Sequence, residues 1–115
     1  MRLLFAAGLM ALATACSPSA PASPSAEDIA AESKKLTDYL NDEFEEELAM
    51  NPTMLTSMGR KELYDQLGDF SEADAAKQLE WRRESVAGMK AAVDPAKLND
   101  DAKTSWAIWE LELDR

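Results

Sequence analysis

The side chains with types and spacing suited to chemistry fall in a few places. Cys16 is the single cysteine, placed directly after the small residues Ala13, Thr14 and Ala15. Glu43 and Glu47 lie one helical turn apart within an acidic run that also holds Asp42, Glu45 and Glu46, a spacing that carboxylate ligands of a metal use. Trp106 and Trp109, three apart, with Trp81 elsewhere, could line an aromatic groove. Arg82 and Arg83 form an isolated basic pair, too small for a nucleic-acid footprint.

One absence limits all of these. The chain has no histidine. Imidazole is the commonest general base near neutral pH and a frequent zinc ligand, so Ser-His-Asp and Cys-His arrangements and the usual zinc sites are excluded. Di-metal helical sites pair their glutamates with Glu-x-x-His elements, so Glu43 and Glu47 read better as a solvated helix face. The tryptophans read better as core, which a small domain needs. Six methionines are scattered as packing filler, and there is no Gly-rich phosphate loop, GxSxG or HExxH. No catalytic or metal-ligating residue emerges.

Cys16 is different, because its context carries an address. Arg2 gives a positive start, Leu3 to Leu12 form an apolar run, and the chain beyond Cys16 turns polar and proline-rich. That order is a secretory signal peptide over residues 1–15, and the cysteine after small residues looks like the lipobox of a bacterial lipoprotein. Cleavage before Cys16 would leave its thiol and amine to carry lipid. The leucine usual three places before the cysteine sits four before, at Leu12, and the bland alternative is an incidental cysteine in a signal peptide. The expected location is the bacterial cell envelope, on the periplasmic face of the outer membrane, with the lipid on Cys16 as the membrane contact. The apolar run is too short to span a bilayer, which needs about 20 apolar residues.

Removing the signal segment takes away only Arg2, leaving 11 basic against 22 acidic side chains and a net charge of −11. Such a chain is repelled by nucleic acid and by anionic headgroups. A lone cysteine excludes an internal disulfide. Residues 16–25, with three prolines and no large apolar side chain, form a flexible Ser/Pro/Ala tether.

The elements that must position everything else are helical. Ser25 with Asp28 three residues on resembles a capping box, and Ile29, Leu36, Leu40, Phe44 and Leu48 recur at helical spacing, predicting a helix over about 26–50. Asn51-Pro52 stops it and predicts an Asn cap on a short helix, 53–58, closed by Gly59 in the left-handed conformation. Residues 60–70 read as a loop with one turn near Glu62 to Gln66. Ser71 and Asp74 open a second long helix, about 72–93, whose apolar positions are Ala76, Leu79, Val86, Met89 and Val93. Gly88 inside it permits close packing or marks a bend. Asp94-Pro95 ends it, and Asn99 caps a last helix over about 100–115, with Ala102, Trp106, Trp109 and Leu113 on one face. With no alternating run or hairpin signal, the fold class is all-α, a partial helical bundle over residues 26–115. The last helix shows no stop signal, so the chain is expected to be the front part of a longer protein.

From Leu36 to Arg115 the chain is also similar to the N-terminal part of a bacterial family filed as domain of unknown function 885 (DUF885). The residues that carry the likeness are Asn51-Pro52, Thr56, Gly59, Asp69 and Ser71, then Asp94-Pro95 and Leu98. The resemblance implies a largely helical, secreted or lipid-anchored protein related to gluzincin-type zinc metallopeptidases. In that family the HExxH-like motif lies far downstream, so no catalytic or zinc-binding residue carries over to this chain. Zinc and a peptide substrate would belong to the downstream part, and these helices to the wall that supports the cleft.

Two expectations follow. A scaffold segment of such a protein would expose apolar surface along Trp106, Trp109 and Leu113, where the downstream part packs. A complete small acidic helical lipoprotein, acting as an envelope binding module, would use the same residues to close its own core.

Overall fold

A computed structural model describes residues 23–114. The signal peptide (1–15), Cys16 and the tether as far as residue 22 lie outside the described residues, as does Arg115. The fold is all-α: α1 spans Ala26–Met50, α2 Pro52–Ser57, α3 Glu72–Ala92 and α4 Asp100–Leu111, with short 3-10 turns at Pro95–Lys97 and Glu112–Asp114.

The helix starts are set by short polar side chains. Ser25 Oγ accepts from the Asp28 amide at 3.1 Å, and the Asp28 carboxylate accepts from the Ser25 amide at 3.1 Å, which completes the reciprocal box. At α3, Ser71 Oγ accepts from the Asp74 amide at 3.1 Å, but the Ser71 amide is taken by Asp69 Oδ1 at 2.9 Å. The Asp74 carboxylate turns instead to Gln78 Nε2, so the second box is only half built. Asn99 Oδ1 accepts from the Ala102 amide at 2.8 Å and opens α4.

Three expected boundaries are corrected. Asn51 makes no side-chain cap on α2, which begins at Pro52, one residue early; its Nδ2 donates back to the Glu47 carbonyl at 3.1 Å. The asparagine therefore satisfies an orphan acceptor at the end of α1 rather than an orphan donor of α2. α3 stops at Ala92, because Val93 and Asp94 are already extended ahead of Pro95. α4 ends at Leu111, and the chain tightens into the 3-10 turn at Glu112–Asp114, a common way to finish a helix. Gly59 does take a positive φ of 79°, as expected of a left-handed cap.

The core joins three helices. Leu36 of α1, Met89 of α3, the adjoining Val93 and Leu98, and Ala102 of α4 form one buried cluster, with Tyr39, Leu40, Trp106 and Trp109 packed around it. Leu36 and Met89 are fully excluded from water. Each such burial contributes about 1.5–3 kcal/mol. A smaller apolar contact forms where α1 turns into α2, with Leu48, Pro52 and Leu55 buried.

Polar groups complete the joints. Buried Ser33 of α1 accepts from the Asn99 amide through Oγ at 3.0 Å, holding the start of α4. Glu32 Oε1 accepts from the Asp94 amide at 2.8 Å, and Lys35 Nζ donates to the Ala92 carbonyl. The first half of α1 thus satisfies backbone groups that α3 leaves open at its C-terminus. Lys90 of α3 reaches Glu110 of α4 at 2.7 Å. Gly88 allows a close approach rather than a bend: a Cβ there would stand 2.5 Å from Tyr39 Oη, whose hydroxyl donates to the Ser85 carbonyl at 2.8 Å.

Candidate functional site

The acidic run on α1 is a largely solvated face, as its composition suggests, with Asp42, Glu45 and Glu46 exposed, but several of its carboxylates are paired. Glu45 receives a bidentate hydrogen bond from Arg60 Nη1 at 2.8 and 2.7 Å, and the same guanidinium holds Glu62 through Nε at 2.8 Å. That pins the start of the loop between α2 and α3 to α1. Glu46 accepts from Trp81 Nε1 at 3.2 Å. Glu47 pairs with Arg82 Nη2 at 2.5 Å. The two carboxylates with metal-ligand spacing are therefore separated in use: Glu47 is held by Arg82, while Glu43 faces Tyr39. The Tyr39 phenol is held above its ordinary value, first by burial and then by the negative charge of Glu43.

Arg82 is the centre of this region, although the sequence marks it only as half of an isolated basic pair with Arg83. Its guanidinium lies between two indoles, 4.8 Å from the Trp81 ring centre and 4.4 Å from that of Trp109. Both distances suit cation–π attraction, strengthened here because the side chain is only 12% exposed. Trp109 is fixed in turn by donating Nε1 to Ser85 Oγ at 3.0 Å, and Ser85 is buried. Nη2 is paired, whereas Nη1 is buried with no hydrogen-bond partner. The result joins α1, α3 and α4 through Glu47, Arg82, Trp109 and Ser85. These contacts brace the three helices, while Glu47 and Arg82 also line a shallow groove of about 180 Å³ and Ser85 lines a second one with Glu43, Glu46 and Glu84.

A signal for Arg82 was present in the sequence. The apolar positions assigned to α3 jump from Leu79 to Val86, and a residue at 82 fills that gap at helical spacing. The stripe in fact starts there, since Leu79 is 42% exposed. Ser33 fills the matching gap between Ile29 and Leu36 on α1.

Asn51, Asp69 and Ser71, three residues that carry the family resemblance, line one cleft of about 330 Å³ between the start of α2 and the start of α3. Thr53, Asp74 and Gln78 also reach it. The side-chain hydrogen bonds of Asn51, Asp69 and Ser71 hold helix ends, and the Asp74 carboxylate accepts from Gln78 one turn on in α3. The amide and hydroxyl of Ser71 hold the Asp69 carboxyl below the ordinary aspartate value, which keeps it a charged cap rather than a proton donor.

Trp106, Trp109 and Leu113 are half-buried rather than exposed, so the apolar surface expected along them is not there, and of the three tryptophans it is Trp81 that lines shallow grooves. The exposed large apolar side chains lie elsewhere: Met54, Leu79, Ile108 and Leu111 on the helices, and Met58, Tyr64, Leu67 and Phe70 between α2 and α3. Among the described residues no group of three or more Cys, Asp, Glu or His side chains is placed to hold a metal ion. Among the described residues, too, no helix is long and apolar enough to cross a membrane. No family model, curated protein or solved structure matches this chain.

Proposed function

We propose that this chain is a non-catalytic helical scaffold segment of a lipid-anchored cell-envelope protein of the DUF885 kind. Cys16 is the lipid-bearing residue, the tether sets the domain off the membrane, and α1 to α4 form part of the wall behind a cleft built by the downstream part. The segment has no activity of its own. Zinc and peptide substrate belong to the downstream part.

The observation that carries this reading is uncovered apolar surface on two separate elements. Leu67 and Phe70 on the loop are about nine-tenths exposed, and Ile108 and Leu111 on α4 about half exposed. In a larger helical protein such surface is covered by neighbouring helices. The test is to sequence the gene and its transcript past the codon for Arg115. An open frame running on for hundreds of codons to an HExxH-type motif is the expected result. A stop codon directly after Arg115, with no rearrangement, overturns it.

A second reading has its own support. Trp106 and Trp109 pack inward on the core, as they would in a complete small acidic lipoprotein that binds an envelope component. A monomeric mature chain that unfolds in one cooperative transition favours this module. A molten or aggregating one favours the scaffold. Both readings require the anchor, so Cys16→Ser should move the protein from the detergent phase to the aqueous phase on phase partitioning. Unchanged partitioning would remove lipidation at Cys16 from either account.

A further inference from the structure

We draw no further inference here: the strongest candidate, the shallow groove lined by Glu47, Leu79, Trp81, Arg82, Glu112 and Leu113, carries nothing because Glu47 and Arg82 in it are already paired with each other and nothing in the structure shows what lies over its apolar rim.

Discussion

Arg82 and Glu47 form the least exposed of the ion pairs in the described residues, at 12% and 24% side-chain exposure. Removing one partner of such a pair leaves the other charge poorly solvated, while replacing both with apolar groups of similar volume is close to neutral. Arg82→Ala should therefore destabilise the fold by about 3 kcal/mol, with Glu47 partly wet and the indole stack emptied. The Glu47→Leu/Arg82→Met double variant should lie within about 1 kcal/mol of the parent. Urea denaturation of the four corners of this cycle decides it, and strictly additive losses would mean the pair is not coupled. Gly88 offers a sharper case. Gly88→Ala gains up to about 1 kcal/mol of helix propensity, yet its methyl would meet Tyr39 Oη at 2.5 Å. The clash and the lost Tyr39–Ser85 hydrogen bond, together worth about 1–2 kcal/mol, make the single variant destabilising. With Tyr39→Phe the obstructing atom is gone and the next ring atom is 3.5 Å away, an ordinary contact. Alanine at 88 should then stabilise the Tyr39→Phe background; if it destabilises both backgrounds alike, the hydroxyl is not the obstacle. These two residues also mark the limit of what the sequence discloses. Gly88 is legible as a place where something comes close, but the identity of Tyr39 as its neighbour depends on how α1 lies across α3. Arg82 is illegible by residue type, because arginine is seldom buried. It is recoverable only from the gap it fills in an apolar stripe.

At the scale of elements, the helices were readable because each start is written locally. Ser25, Ser71 and Asn99 announce α1, α3 and α4 through hydrogen bonds that span three residues, so a local pattern contains the whole interaction. The end of α3 was less readable, since it is completed from far away: Lys35 of α1 serves Ala92, its last residue, and Glu32 serves Asp94 just past it. Asn51 was misread because an asparagine between two helices can serve either one, and the choice falls to the backbone geometry at residue 51. Several carboxylates that hold these joints have depressed proton affinity. Asp28 is lowered first by the Ser25 hydroxyl, Glu32 by the Asp94 amide and Asp69 by the Ser71 amide. A carboxyl depressed in the folded state adds stability that is complete above its unfolded value and is lost as pH falls through its folded value. For these groups the loss begins near pH 4 and continues downward. The amide protons of Ser25, Ser71 and Asp94, which donate to them, should shift with midpoints below those of free carboxyls in an NMR titration. Midpoints at or above the ordinary values would show that these caps do not form in solution.

Over the whole molecule, inward and outward apolar side chains divide unevenly. The described part closes a core around Leu36 and Met89 yet leaves Leu67 and Phe70 in water. Leu67→Ser should change unfolding free energy by less than about 0.5 kcal/mol, because the side chain has little packing to lose. Leu36→Ala should cost about 2–5 kcal/mol. If Leu67→Ser proves strongly destabilising by urea titration, the loop is packed in solution and the surface argument for a scaffold weakens. What the molecule does was the least legible of all. The resemblance rests on helix-ending and loop residues, and the described interactions of Asn51, Asp69 and Ser71 hold helix ends. Such residues report how a chain turns, and many unrelated activities can be built on the same turns.

The bonds from α1 to the far end of α3 and the start of α4 carry a consequence for how the chain is made. Lys35 meets a partner 57 residues later in the sequence, Glu32 one 62 later and Ser33 one 66 later. Synthesis proceeds from the N-terminus, so α1 is complete well before any of these partners exists. Until α3 has been made, the Leu36 part of its apolar stripe has no partner helix to close on, and an isolated helix in water is marginal. The nascent chain should therefore stay incompletely folded around α1 until the end of α3 and the start of α4 have been made. Chains arrested near residue 90 should be cut readily by protease within α1, and those extended beyond Trp109 should resist.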